Sequence, residues 1–312
     1  MSSTVDIGTV GIAGCGLMGS GIAELCARAG IHTLVFDVNS AALATGRARV
    51  EASLSKAVAR GKLTLEESER AWASIHFTTD LDRFADRDLA IEAVPEDTEM
   101  KLALFSALDK VMERPDALMA SNTSSIPIMQ LASATNRPDH VVGLHFFNPV
   151  PVLDLVELVP TLKTDDTAWH RMHHFAADAL GRRVIISQDR AGFVVNALLI
   201  PYLLASIRMF ESGFAVAQDI DDGMVRGCAH PMGPLRLTDH IGLDTTLAIA
   251  ECLYREFREQ LYAPPALLSR MVEAGHLGRK AGRGFYDYHV PGAPTADASP
   301  AAPSGGRPPL SS

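Results

Sequence analysis

The chain has 312 residues, of which 47% are hydrophobic, and it carries 28 basic against 37 acidic side chains, a formal net charge of −9. This length is enough for two domains that each bury a core, and the acidic balance argues against nucleic acid or an anionic membrane surface as a partner. The four cysteines are scattered without a CxxC pair, which is typical of small core residues in a reducing compartment. No basic amino-terminal region precedes an apolar stretch, and the most apolar run is too short to span a bilayer, so we expect a cytoplasmic protein without membrane contact.

A glycine-rich turn follows the first apolar strand, residues 10–13, and leads into a helix of small residues. Gly14 allows the tight turn, Gly16 lets the backbone approach a pyrophosphate, and Gly19 lets the helix pack close to the strand. A second apolar strand ends at Asp37, 18 residues after Gly19, where an acidic residue binds both hydroxyls of an adenosine ribose and repels a 2′-phosphate. The pattern predicts NAD rather than NADP as cofactor, bound by Asp37 and by the turn Gly14-Cys15-Gly16-Leu17-Met18-Gly19.

A polar helical pair, residues 40–60 and 64–74, separates this strand from the next predicted one. Two interpretations of its cations remain open at this point. They form a solvated helix face, the usual fate of such charges, or they contact the phosphates of a bulky substrate carrier. The cations are Arg47, Arg49, Lys56, Arg60 and Lys62.

Two further predicted strands, residues 89–94 and 117–122, each end in a polar loop. The first loop carries Glu96, and the second carries Asn122 and Ser124. Ligands of open α/β sheets bind at the carboxyl ends of the strands, so these loops border the expected crevice. A serine and threonine cluster before a helix is more often a helix cap. The sequence therefore leaves two interpretations of Ser124 open, a helix cap and a ligand-binding residue.

His145 and Glu157 are the strongest catalytic candidates. Glu157 lies in an apolar, strand-like segment on the same side as Leu155 and Val159, and a buried carboxylate needs a partner. The Asn-Pro-Val-Pro segment at residues 148–151 predicts a bend that brings His145 back against it. An imidazole polarised by a carboxylate is a general base that works near neutral pH.

The pattern changes after residue 188. We predict an α/β fold with a Rossmann-type, mostly parallel sheet domain at 1–188 and an all-helical domain at 189–290. Residues 291–312 contain six prolines and two charges, a composition that predicts a disordered tail rich in Pro, Ala, Ser and Gly. The histidines at 170, 173 and 174 lack acidic or cysteine partners nearby, and we expect no metal site.

These motifs together resemble the L-3-hydroxyacyl-CoA dehydrogenase family, most of all its short single-function 3-hydroxybutyryl-CoA dehydrogenases. The resemblance covers about residues 5–288 and includes the glycine turn, the segments at 121–125 and 192–196, the His145 run, and those at 231–235, 242–244 and 278–286. It implies NAD-dependent oxidation of an L-3-hydroxyacyl thioester to the 3-ketoacyl thioester, and a homodimer formed through the helical domain. It also implies roles for individual residues. His145 is the base, Glu157 its orienting partner, and Ser124 and Asn196 bind the reacting oxygen; Glu96, Lys101 and Asn122 lie on the cofactor side, and Lys56 and Asn148 on the substrate side.

The chain departs from the family pattern at three positions. Ala191 stands where relatives have proline, and Ala197 and Ala263 stand where relatives often have arginine. The loss of two cations leaves the carrier open, and a relative acting on an acyl-carrier-protein thioester is an alternative. A non-catalytic, NAD-binding structural relative is a further alternative, against which the intact set Ser124, His145, Glu157 and Asn196 argues.

Overall fold

The computed structural model describes residues 7–289. The chain divides into two compact units, Met1–Val194 and Val195–Ser312, a division six residues after the boundary expected from the sequence. The predicted tail at 291–312 lies outside the described residues. Among the described residues, no helix is long and apolar enough to cross a membrane.

One eight-stranded sheet organises the first unit, in the order β3-β2-β1-β4-β5-β6-β7-β8. Neighbouring strands are parallel except for the antiparallel pair β6 and β7. The chain moves outward from β1 in both directions, and such a reversal point is where open α/β sheets bind ligands. The strands are β1 Thr9–Ala13, β2 His32–Phe36, β3 Ile75–Thr78, β4 Leu89–Glu92, β5 Leu118–Ser121, β6 Val141–Phe146, β7 Leu155–Pro160 and β8 Arg183–Ile186.

Helices cover both faces of this sheet, and side chains cap most of them. Asn39, Asp97 and Asp165 accept N–H groups from the first turns of three helices, and Thr64 with Glu67 forms a capping box on another. The buried strand residues fall into two apolar clusters, as expected when both faces are covered. The helices are α1 Leu17–Arg28, α2 Ser40–Ala59, α3 Leu65–Ala73, α4 Thr98–Val111, α5 Ile128–Ala132 and α6 Asp166–His174.

The second unit is helical, as predicted. Buried Leu203, Leu253 and Phe285 lie in its core, and the buried carboxylate of Asp239 accepts the N–H groups of Phe285 and Tyr286. These two hydrogen bonds give partners to backbone N–H groups of a buried, non-helical segment. The helices are α7 Val195–Glu211, α8 Ala217–Gly227, α9 Pro234–Ile241, α10 Leu243–Phe257 and α11 Ala266–Glu273.

The fold class is confirmed, and one strand was missed. The sequence predicts no strand between the helical pair and residue 89, yet β3 pairs there in parallel with β2. β3 has four residues, lies at the edge of the sheet and exposes His76. Such a segment lacks the long apolar run that marks a central strand.

Candidate active site

The glycine turn between β1 and α1 has the geometry that a dinucleotide needs. Gly14 has φ +106°, a backbone conformation that favours glycine. A Cβ on Gly19 would lie 1.9 Å from the carbonyl oxygen of Gly14, whereas a Cβ on Gly16 would meet nothing within 4 Å. The N-cap of α1 is Gly16, which offers no side-chain acceptor, so the first N–H groups of the helix are available to phosphate oxygens.

Asp37 directly follows β2, at the carboxyl end of the strands, where the glycine turn also lies. Its Oδ2 accepts the backbone N–H of Cys15 at 3.0 Å, and its Oδ1 accepts that of Asn39 at 3.1 Å. These bonds hold the carboxylate beside the glycine turn. Since a carboxylate has about four acceptor positions, two remain for the ribose hydroxyls expected there.

Glu96 organises the loop that carries Ser124. Its Oε1 accepts the hydroxyls of Thr123 at 2.5 Å and Ser125 at 2.9 Å, and the backbone N–H of Ser124 at 3.0 Å. The Ser124 hydroxyl makes the longest of these contacts, 3.4 Å, which is weak by hydrogen-bond standards. Ser124 is therefore the hydroxyl of this cluster that is best able to turn to a ligand.

The serine cluster does not cap α5. The first two N–H groups of α5, those of Ile128 and Met129, donate to the carboxylate of Asp189 at 2.7 Å each. The capping interpretation of Ser124 is thus not the one the structure supports.

Lys101 and Glu92 form a buried ion pair that also contacts Glu96. Lys101 places its Nζ 2.6 Å from Oε1 of Glu92 and 3.0 Å from Oε2 of Glu96, and the Ser121 hydroxyl donates to Glu92 at 2.6 Å. Burial raises the pKa of Glu92, although Lys101 opposes that shift. Burial also acts to raise the pKa of Glu96, but Lys101 and the hydroxyls of Thr123 and Ser125 outweigh it and leave the pKa lowered. Because the Lys101 ammonium is buried in this network, it fixes Glu96 in place.

His145 and Glu157 face each other across the antiparallel pair β6 and β7, in direct register. Nδ1 of His145 lies 2.6 Å from Oε2 of Glu157, and both side chains are buried. The imidazole is in contact with the rings of Phe147 and Phe193, with centroids 4.6 and 5.6 Å away. Oε1 of Glu157 accepts the backbone N–H of Val194 at 3.0 Å. The carboxylate orients the imidazole so that its other nitrogen, Nε2, is the one left for a substrate.

The remaining predicted residues lie in separate places. Asn122, which follows β5, accepts the N–H of Phe146 through Oδ1 at 2.9 Å. Phe146 is the neighbour of His145, so Asn122 lies close to the pair of His145 and Glu157, called the dyad below. Asn148 is exposed in the loop after β6, and Lys56 is exposed in the last turn of α2. Asn196 is buried in the first turn of α7, in the second unit.

Two of the five cations of the polar helical pair have partners within the protein. The Arg47 guanidinium lies over the rings of Trp72 and Phe77, and Arg49 donates to the Ser20 hydroxyl at 3.3 Å. Lys56, Arg60 and Lys62 are exposed.

Sequence reasoning missed Glu92, Phe193 and Val194. Glu92 had a signal, because a glutamate that ends an apolar strand needs a buried partner. No sequence signal marks the contact of Val194 with Glu157, since a backbone N–H makes it.

Comparison with known proteins places these features in one family. Residues 9–190 match the NAD binding domain of 3-hydroxyacyl-CoA dehydrogenase, and residues 192–288 match its C-terminal domain. The chain is 57% identical over 279 residues to a 3-hydroxybutyryl-CoA dehydrogenase of Mycobacterium tuberculosis, covering 89% of this chain and 98% of that protein.

Solved structures agree with this assignment. Mycobacterium tuberculosis FadB2 matches with a TM-score of 0.90 and 56% identity, over 91% of this chain and 99% of that chain. An (S)-3-hydroxybutyryl-CoA dehydrogenase from Ralstonia eutropha matches with a TM-score of 0.86 and 42% identity, over 91% and 100%. The chain therefore belongs to the 3-hydroxyacyl-CoA dehydrogenase family, an NAD-dependent oxidoreductase family, and its first unit contains the NAD-binding domain.

Proposed function

We propose that this chain catalyses the reversible oxidation of a short L-3-hydroxyacyl-CoA, 3-hydroxybutyryl-CoA above all, with His145 as the catalytic base. The observation that carries the proposal is the buried pair of His145 and Glu157 at 2.6 Å. The names of the relatives support the substrate, since they include 3-hydroxybutyryl-CoA dehydrogenases.

The chain's own residues account for the proton and the orientation of the substrate. Nε2 of His145 takes the proton of the C3 hydroxyl, and Glu157 stabilises the imidazolium that forms. Ser124 donates to the reacting oxygen, and Asn196 is proposed to share that task. NAD, which Asp37 and the turn from Gly14 to Gly19 would hold, would supply the acceptor for the hydride of C3. Reduction of the 3-ketoacyl thioester follows the same path in reverse.

The cofactor side is assigned to residues of the first unit. The turn from Gly14 to Gly19, including Leu17 and Met18, is proposed to hold the pyrophosphate, and Asp37 the adenosine ribose. Glu96 and Asn122 are proposed to border the nicotinamide half, with Lys101 fixing Glu96 from the buried side.

The decisive test is a spectrophotometric NADH assay with acetoacetyl-CoA. We expect NADH oxidation that depends on both substrates and falls by about 10²–10⁴-fold in a His145→Gln variant. Absence of turnover with any 3-ketoacyl thioester, in a protein that still binds NADH, would refute the catalytic proposal.

The substrate carrier is tested separately through Lys56. Its exposed position on α2 fits a contact to a CoA phosphate, and Asn148 is proposed to lie on the same side of the substrate. Lys56→Ala should raise KM for the CoA thioester several-fold at nearly constant kcat, as loss of uniform binding does. Lys110→Ala, at an exposed lysine on α4, is the control and should leave KM unchanged.

Thioesters of one acyl group on CoA, pantetheine and acyl-carrier protein separate the two enzyme alternatives. We expect the CoA thioester to be preferred. Efficient turnover of the carrier-protein thioester alone would overturn the CoA assignment and leave the chemistry of His145 intact.

The oligomeric state is proposed to be a homodimer formed through the second unit. Leu198 and Phe214 of that unit are 73% and 80% exposed, and burying such apolar side chains against a second copy would be favourable. Light scattering at micromolar concentration should give twice the chain mass, and a fully active monomer would contradict the assignment.

A further inference from the structure

The turn at residues 189–194, which leads from β8 to α7, has an unusual backbone. Gly192 and Phe193 have φ values of +77° and +47° in succession. Glycine adopts this left-handed region readily, but for a bulky side chain such as phenylalanine it is an outlier. A phenylalanine is kept there only where the surrounding structure holds it.

This backbone directs two groups of the turn onto the catalytic dyad. The Phe193 ring is buried, and its centroid lies 5.6 Å from that of His145. The next backbone N–H, that of Val194, donates to Oε1 of Glu157 at 3.0 Å. Oε2 of the same carboxylate meets Nδ1 of His145 at 2.6 Å. The turn thus binds Oε1 of Glu157, and the imidazole of His145 binds Oε2.

The turn is also anchored at its start. Asp189 accepts the N–H groups of Ile128 and Met129 at 2.7 Å each, and the N–H of Phe193 donates to the carbonyl of Arg190 at 3.1 Å. These bonds fix the turn that leads into Val194, and a carboxylate bound by an N–H of a fixed turn is restrained in its orientation.

We propose that Phe193 and the Val194 N–H are positioning elements of the catalytic dyad. The left-handed backbone of Phe193 aims the Val194 N–H at Glu157, and the ring closes one side of the imidazole. Glu157 then has one orientation, and His145 keeps its proton on Nδ1 and presents Nε2 to the substrate. This role rests on the proposed function of His145 as the base.

Phe193→Val tests the backbone, because a β-branched residue disfavours the left-handed region while remaining apolar. We expect kcat to fall roughly 10-fold or more, since small displacements of catalytic groups are costly, with the KM for NADH unchanged. Phe193→Gly, which permits the same backbone but lacks the ring, should perturb the dyad less than Phe193→Val does.

A spectroscopic measurement separates positioning from folding. In ¹⁵N-histidine NMR spectra of the whole chain, the His145 signal is identified by its absence in His145→Gln. The parent protein should show a single tautomer with the proton on Nδ1, and Phe193→Val should show a mixture. Replacement of Val194 by its α-hydroxy acid, which exchanges the backbone N–H for an ester oxygen and keeps the side chain, should produce the same mixture with the ring in place.

Arg258 supplies the matched control, because it is also a non-glycine residue in the left-handed region, with φ +56° at the end of α10. Arg258→Val should lower the melting temperature without changing kcat or the His145 spectrum. If Phe193→Val and the Val194 substitution lower only the melting temperature, the inference is wrong. If the parent protein shows the single tautomer but turns over no thioester, the proposed function fails while the positioning of His145 stands.

Discussion

Two buried glutamates of the first unit, Glu157 on β7 and Glu92 on β4, are alike in residue type, strand location and burial, since each is 0% exposed. They differ in their partners. Glu157 holds an imidazole and a backbone N–H, whereas Glu92 holds the Lys101 ammonium, the Ser121 hydroxyl and the N–H of Val94.

The partner decides what the carboxylate can do. Histidine gains and loses its charge near neutral pH, so the pair of Glu157 and His145 can stabilise a proton that arrives during the reaction. Lysine normally remains charged throughout that range. In the group of Glu92, Lys101 and Glu96, the ammonium of Lys101 contacts both carboxylates, and Glu96 in turn accepts the backbone N–H of Ser124, which restrains that loop.

The largest effect on catalysis is expected from the base itself. His145→Gln removes the proposed proton acceptor, and kcat should fall by about 10²–10⁴-fold because general base catalysis is lost. NADH binding, followed by fluorescence titration, should stay intact. Turnover near that of the parent protein would end the assignment of His145.

The largest effect on stability is expected from Lys101→Met. The variant leaves the buried carboxylate of Glu92 without its cation, and breaking a buried pair in this way costs about 3–5 kcal/mol of unfolding free energy. Urea denaturation measures the loss. Adding Glu92→Gln to this variant should restore part of the stability, and no recovery in the double variant would show that the network is not the cause.

Glu157→Gln and Glu92→Gln contrast the two carboxylates directly. Glu157→Gln should lower kcat by roughly 10²-fold, because the imidazolium that forms in the proposed reaction loses its counter-charge. Glu92→Gln should change kcat less than ten-fold (about 1.4 kcal/mol), because Lys101 keeps Glu96 and the serine loop in place. Equal losses of kcat in the two variants would show that Glu157 and Glu92 do not differ in their contribution to catalysis.

Local patterns carried most of what the sequence predicted. The turn from Gly14 to Gly19, Asp37 after β2, and the pairing of His145 with Glu157 follow from strand periodicity and from the chemistry of one or two residues. Lys101 appeared only through the family resemblance, because its partners lie on two other segments and its ammonium is buried between them. The contact of Val194 with Glu157 is made by a backbone N–H and is preceded by the positive φ of Phe193. Neither feature can be predicted from the identity of the residues.

Asp37 extends the comparison to a carboxylate whose described partners are backbone N–H groups. With acceptor capacity left for two ribose hydroxyls, it should favour NADH over NADPH by about 10-fold, which corresponds to roughly 1.4 kcal/mol. Asp37→Ala should erode that preference while kcat with saturating NADH changes little. Steady-state kinetics with both cofactors measure the ratio, and a parent enzyme that prefers NADPH would contradict the assignment.

The smallest effect is a pH dependence of stability that has opposite signs at Glu96 and Glu92. The folded state lowers the pKa of Glu96, through Lys101 and the hydroxyls of Thr123 and Ser125 against the effect of burial. Its contribution is therefore present above the ordinary value of 4.5 and is lost as the pH falls through the lowered one. Burial raises the pKa of Glu92 from the same ordinary value, so its contribution is present below 4.5 and is lost as the pH rises through the raised one.

Unfolding free energies measured in urea between acidic and neutral pH test these signs. The stability difference between the parent protein and Glu96→Gln should grow as the pH rises, because only the parent gains from ionisation there. The difference between the parent and Glu92→Gln should shrink over the same range, because the parent must ionise a buried group that the variant lacks. The same slope for both variants would mean either that burial does not outweigh the Lys101 contact at Glu92, or that the contacts of Lys101, Thr123 and Ser125 do not outweigh burial at Glu96.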